Sequence, residues 1–221
     1  SHAFIALRFA IARADAVLVP INFMLNAEEV RYILDHSGAR MLFVDSTTIE
    51  VALAAVPSGL GPIIGIPGEA EDAPSQLSSW EELLVDDGPQ YEGSGGQDLL
   101  QIIYTSGTES RPKGAMLTHQ NLTANARQVN AIDPRKDDAE DRILGVLPFF
   151  HVFANTCVLN RTVLNGGEIV MLPRFDAVAA LAAINRTKVT ALPGVPTMYQ
   201  ALLDCPAIHK TDFSSLRACI S

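Results

Sequence analysis

The stretch Leu99-Leu-Gln-Ile-Ile-Tyr104-Thr-Ser-Gly-Thr-Glu-Ser-Arg-Pro-Lys-Gly114-Ala-Met-Leu117 decides how this chain is read. Leu99 to Tyr104 is a short, β-prone apolar run and predicts a strand. It leads straight into Thr105-Ser106-Gly107-Thr108, and Ala115 to Leu117 is apolar enough for a short return strand. Between the two strands, the hydroxyls of Thr105, Ser106 and Thr108 surround Gly107, where backbone amides can approach an anion with no side chain in the way. Lys113 adds a positive point charge just after the rigid Pro112. Such a loop has the donors a polyphosphate needs. A surface turn rich in small polar residues has the same composition, so composition alone leaves both readings open. A Walker A loop is excluded, because that pattern ends in Gly-Lys-Ser/Thr and here Pro112-Lys113-Gly114 stands instead.

Outward from this stretch, helices and short strands alternate. Asn26 followed by Glu29 reads as a capping arrangement, with Val30, Ile33 and Leu34 as the apolar face of the helix and Gly38 as its end. Met41 to Val44 reads as a strand, 47–56 as a helix closed by Pro57, and Ile63 to Ile66 as another strand. Pro67 to Pro74 and Asp86 to Gln97 read as loops, with Ser79 capping a short turn that contains Trp80. Past the return strand, Thr118 opens a helix through Asn130. Strands follow at Ile143–Leu147, Glu168–Leu172, Val189–Leu192 and Arg217–Ser221, with helices at Val152–Leu164, Asp176–Asn185 and Pro196–Leu203. This alternation predicts an α/β fold of mostly parallel sheets covered by helices on both faces. The charged, Pro134-bearing segment Asp133 to Asp141 suggests a boundary, giving a first subdomain at 1–138 and a second at 139–221.

Composition narrows the function. Across 221 residues, 16 Lys+Arg stand against 25 Asp+Glu, a net charge of −9, which argues against a nucleic-acid binder relying on a broad basic face. A hydrophobic content of 48% excludes a disordered chain. Cys157, Cys205 and Cys219 lie far apart and read as buried thiols of a reducing compartment, without a disulfide framework or zinc site. The apolar opening from Phe4 to Ile21 is broken by Arg8, Arg13 and Asp15, so no transmembrane segment is expected, and the default location is the cytoplasm. His119 reads as structural, and His2, His36 and His209 as surface residues without partners. The acidic stretch Asp137 to Asp141 reads as a solvated loop and Trp80 as a packing residue. Asn155, Val195 and Met198 suit an acyl tunnel or the core equally well.

Tyr104 to Gly114 resembles the signature Tyr-Thr-Ser-Gly-Thr-Thr-Gly-x-Pro-Lys-Gly of the adenylate-forming, or AMP-binding, superfamily. The continuation Ala115-Met-Leu-Thr-His-Gln-Asn-Leu122 follows the same family, as does Leu147-Pro-Phe-Phe-His151. Val19-Pro-Ile-Asn22, Tyr32-Ile-Leu-Asp-His-Ser-Gly-Ala39 and Gly194-Val-Pro-Thr-Met198 extend the likeness through nearly the whole chain. The resemblance implies part of the large N-terminal domain of an adenylate-forming enzyme. It further implies a two-step reaction, in which a carboxylate attacks the α-phosphate of ATP and coenzyme A then displaces AMP from the acyl adenylate. By the same resemblance, Thr105, Ser106, Gly107 and Thr108 contact the β- and γ-phosphates, and Thr105 is a candidate Mg²⁺ ligand. Lys113 holds loop and phosphate charge as a catalytic residue, and His151 with Phe150 borders the substrate carboxylate.

The chain departs from the signature at Glu109-Ser110, where most members carry Thr-Gly. That variant points within the superfamily towards fatty-acyl-CoA synthetases. The family's adenine, ribose and C-terminal lysine elements have no counterpart here, so the resemblance implies an internal piece that does not turn over alone. The rival readings are an amino-acid or aryl-acid adenylating enzyme and a non-catalytic nucleotide-binding module.

Overall fold

Asn26 sets the first helix that the sequence announces. Its side-chain oxygen accepts from the amides of Glu28 and Glu29, both at 3.0 Å, while the Glu29 carboxylate accepts from the Asn26 amide at 2.9 Å. The reciprocal pair satisfies donors that the first turn would otherwise leave open. The computed structural model describes residues 2–66, 77–79, 95–105, 111–132 and 140–221, which divide into two units, His2–Thr118 and His119–Ser221.

The first unit opens with α1 (His2–Arg13), a helix that the sequence reading did not assign; Ala3, Leu7 and Arg8 are its buried residues. The capped helix is α2 (Ala27–Ser37), which buries Val30, Ile33 and Leu34 as its periodicity required and stops at Gly38, φ +66°. Glycine adopts that left-handed conformation without a Cβ penalty. Strands β1 (Leu42–Val44), β2 (Ile63–Gly65) and β3 (Ser78–Ser79) form one parallel sheet, with α3 (Ile49–Ala55) between the first two. Val30, Leu34, Leu42, Val44, Ala52, Ala55 and Ile63 form their core. Ser79 therefore belongs to a strand rather than to a helix cap: its backbone pairs with Gly65. Trp80, the loop 67–74 and most of the loop 86–97 lie outside the described residues.

The decisive stretch forms an antiparallel pair, β4 (Leu99–Thr105) and β5 (Lys113–Thr118). On its other edge β4 meets Leu18, whose amide donates to Leu100 O at 3.0 Å and whose carbonyl accepts from Ile102 N at 2.9 Å. Beneath, the Arg8 guanidinium donates to the fully buried Gln101 Oε1 at 2.5 Å, and burial pulls the Arg8 pKa down to about 10.

The second unit begins with α4 (His119–Ala131), which buries Leu122 and Ala126. A four-stranded parallel sheet follows in the order β7 (Glu168–Met171), β6 (Arg142–Gly145), β8 (Ala191–Pro193), β9 (Ala218–Ile220). Helices α6 (Ala177–Thr187), capped by Asp176, and α7 (Pro196–Asp204), with proline in its first turn, pack on this sheet around Leu144, Val170, Leu181, Ile184, Leu192 and Met198. The expected single helix over 152–164 contains a π-helical segment, Ala154–Asn160, that passes into α5 (Arg161–Leu164). Helix α4, which opens the second unit at His119, packs against these two segments.

Within the stretch 137–141 that read as solvated loop, residues 137–139 lie outside the described residues and Glu140 is exposed, but Asp141 departs from that reading. Its carboxylate is buried and accepts from Arg161 Nη2 at 3.4 Å, Thr190 Oγ1 at 3.3 Å, Asn165 Nδ2 at 3.4 Å and Arg217 Nη2 at 3.5 Å. One carboxylate at the head of β6 thus ties α5 and the residues just before β8 and β9 to a single point. The cysteines are free as expected, but Cys219 is exposed while Cys157 and Cys205 are buried.

Candidate functional site

In the first unit, the β4–β5 register brings two of the expected site residues together. Thr105 pairs with Lys113 at the end of the ladder, and both side chains are exposed. One register step inward, Tyr104 pairs with Gly114. A Cβ on Gly114 would lie 2.8 Å from Ile102 Cγ2 and 3.3 Å from the Tyr104 ring, so glycine is what lets the tyrosine fold across the partner strand. Ser106, Gly107 and Thr108 lie outside the described residues, as do Glu109 and Ser110.

Sequence reasoning missed what stands behind this pair. Helix α2 presents Tyr32 and His36 one turn apart. The Tyr32 hydroxyl donates to Pro112 O at 3.1 Å, and the Arg111 guanidinium carbon sits 5.5 Å from the Tyr32 ring centroid. His36 Nδ1 lies 2.7 Å from the Tyr104 hydroxyl. His36 is exposed, as a surface histidine should be, but it has a partner 68 residues away that spacing could not reveal. Burial, with neighbouring Tyr32, raises the Tyr104 pKa, so this phenol stays a neutral hydroxyl at physiological pH.

In the second unit, Phe150 and His151 lie on the turn between β6 and the π-helical segment, beyond the carboxyl end of a parallel strand where α/β sheets present their ligand groups. Phe149 is buried, Phe150 half-buried and His151 exposed. The His151 amide donates to Pro148 O at 3.0 Å, and its carbonyl accepts from Asn155 N at 3.0 Å. The ring Nδ1 accepts from Phe153 N at 3.4 Å, which places the proton of the neutral imidazole on Nε2 as an available donor. Asn155, buried inside the π segment, holds Phe149 O with its Nδ2 at 3.4 Å and accepts from Asn160 Nδ2 at 3.1 Å. Wider π turns leave room for such side-chain contacts to the preceding turn.

The exposed oxygen of Thr105 is a hard donor of the kind Mg²⁺ takes. Among the described residues no group of three or more His, Cys, Asp or Glu could hold a metal ion. No helix among the described residues is long and apolar enough to cross a membrane.

A family model described as AMP-binding enzyme matches residues 1–221. The chain is 37% identical over 215 residues to a feruloyl-CoA synthase of Amycolatopsis sp, covering 97% of this chain and 40% of that protein. It is 40% identical over 124 residues to a long-chain-fatty-acid–CoA ligase of Bacillus subtilis (strain 168), covering 56% of this chain and 22% of that protein. Among solved structures, the inhibitor-bound N-terminal domain of FACL13 from Mycobacterium tuberculosis matches with a TM-score of 0.82 at 31% identity, covering 99% of this chain and 53% of that one. The chain thus spans less than half the length of these two curated relatives. With the family model matching from end to end, the chain belongs to the AMP-binding enzyme family.

Proposed function

We propose that the protein carrying this chain is an AMP-forming acyl-CoA ligase: it activates a carboxylic acid with ATP as an acyl adenylate and passes the acyl group to coenzyme A. The observation that carries this reading is the Thr105–Lys113 pair at the mouth of the β4–β5 hairpin, a hydroxyl and an ammonium side by side where the loop leaves the sheet. In the first step the acid's carboxylate oxygen bonds to the α-phosphorus and pyrophosphate leaves. Little covalent work falls to the protein, so positioning and neutralisation of charge carry the rate. Lys113 and the Thr105 hydroxyl, with Ser106, Gly107 and Thr108 of the loop, hold the β- and γ-phosphates that become the leaving group. Mg²⁺, when bound beside Thr105, supplies further neutralisation of that charge. His151 uses its Nε2–H to orient the carboxylate, and Phe150 shields that end of the acid from water. In the second step the coenzyme A sulfur attacks the acyl carbon and AMP departs.

Glu109-Ser110 favours a fatty acid as substrate. An aryl acid is the second reading, favoured by the likeness to the feruloyl-CoA synthase over 97% of this chain. Carboxylate-dependent ATP–pyrophosphate exchange by the full protein tests both. Exchange with medium- and long-chain fatty acids supports the first, exchange confined to cinnamate-type acids supports the second, and exchange with neither class contradicts the proposal.

A further inference from the structure

Tyr32 reaches Pro112 across 80 residues of sequence, and what it grips is informative. The Pro112 carbonyl and the Lys113 amide belong to one planar peptide unit. A hydroxyl donated to that carbonyl at 3.1 Å, with the proline ring already restricting φ, fixes the plane from which Lys113 departs. The same Tyr32 ring carries Arg111, 5.5 Å from guanidinium carbon to ring centroid, in cation–π contact. Both residues before Lys113 are therefore held by one side chain.

The other end of the loop is held in the same way. Tyr104 immediately precedes Thr105, and its hydroxyl lies 2.7 Å from His36 Nδ1. His36 stacks on Tyr32 with ring centroids 5.3 Å apart, and Tyr104 stands edge-on to both rings, at 6.4 Å from Tyr32 and 5.7 Å from His36. Helix α2, which supplies Tyr32 and His36, is pinned at its start by the Asn26–Glu29 box and at its end by Gly38. A rigid helix thus carries one aromatic platform that touches the residues flanking Thr105 and Lys113.

We infer that Tyr32 and His36 are positioning residues for the Thr105–Lys113 pair, setting its affinity for the polyphosphate of ATP; this rests on the phosphate reading proposed above. Neither side chain is a catalytic residue. A holder of this kind acts on binding in the ground and transition states alike, so its loss moves KM rather than kcat.

The test is steady-state ATP–pyrophosphate exchange by the full protein with Tyr32→Phe, Tyr32→Leu and Lys113→Ala variants, each with its melting temperature. Tyr32→Phe removes the hydroxyl and keeps the ring under Arg111. It is expected to raise KM for MgATP about fivefold with kcat and KM for the acid unchanged, while the lost intramolecular hydrogen bond lowers the melting temperature by only about a few degrees. Tyr32→Leu removes the ring as well and is expected to raise KM for MgATP further. An unchanged KM for MgATP in Tyr32→Phe, while Lys113→Ala raises it, would overturn the inference and leave the phosphate reading standing. A fall in melting temperature with KM for MgATP unchanged in both Tyr32 variants would mark a merely structural role and overturn it too. Absence of exchange in the unsubstituted protein would sink the phosphate reading and this inference with it.

Discussion

Thr105 and Lys113 pair directly across the final step of the β4–β5 ladder, so two residues separated in sequence by a loop leave the sheet side by side. An antiparallel register brings directly opposed side chains within about 5.5 Å at Cβ, close enough for a hydroxyl and an ammonium to share one anion. Register rather than sequence distance makes the pair, and one step inward Gly114 faces Tyr104 where a Cβ would find no room.

Gly114→Ala is expected to destabilise the protein by about 1–3 kcal/mol, the usual cost of forcing a methyl into filled space. The added carbon meets Ile102 at 2.8 Å and the Tyr104 ring at 3.3 Å. Gly38→Ala makes a useful comparison, because nothing lies near its Cβ and the penalty there, about 1–2 kcal/mol, comes from φ +66° alone. Denaturant unfolding checks both, and Gly114→Ala is also expected to weaken nucleotide binding where Gly38→Ala does not.

Asp141→Ala is expected to cost about 3–5 kcal/mol, because it leaves the buried Arg161 guanidinium without its carboxylate. The neighbouring Glu140, exposed and bridged to Arg142, is a natural control whose replacement by Gln is expected to cost under about 1 kcal/mol. Thermal unfolding of the two variants distinguishes a clamp from a surface charge.

Tyr199 makes stability depend on pH at the alkaline end. Its hydroxyl lies 2.5 Å from Leu192 O and 3.0 Å from Ile220 O, tying β8 to β9. Burial, then the nearby Cys219, push its pKa up to about 12. A phenol raised in the folded state stabilises fully below its unfolded pKa of about 10, and that contribution is lost as pH rises towards 12. Stability is expected to fall over this window, with a shallower fall in Tyr199→Phe; equal slopes in urea unfolding would contradict it.

His151→Ala is expected to slow acyl-adenylate formation about 10–100-fold, and His151→Gln less, because glutamine can still offer a side-chain N–H. Single-turnover formation of the adenylate measures this step apart from thioester formation. Equal rates in the two variants would remove the donor role from Nε2.

Much of the fold was legible because local chemistry and tertiary packing agreed. Asn26, Glu29 and Gly38 marked the ends of α2 before its partners were known, and Val30, Ile33 and Leu34 lay at the spacing that its core required. What was illegible depended on long-range contact. Helix α1 buries Arg8 against Gln101, 93 residues away, and a charge inside an apolar run reads as an interruption until its partner is seen. Asp141 looked like the end of an acidic loop because Arg161, Thr190 and Arg217 reach it only in the folded chain. Ser79 read as a helix cap because serine favours caps, whereas pairing with β2 decided otherwise. At the candidate site, Thr105 and Lys113 came from a local motif and were readable. Tyr32, His36 and Arg111 assemble by packing α2 against the hairpin, and no spacing encodes that.

The most direct measurement is acid-dependent acyl-CoA formation by the full protein carrying Thr105→Ala and Lys113→Ala together, followed at saturating acid and coenzyme A over a range of MgATP. The account predicts loss of at least about 100-fold in kcat/KM for MgATP, two phosphate-binding groups having gone from one register pair. Acyl-CoA formation at the unsubstituted rate would contradict it.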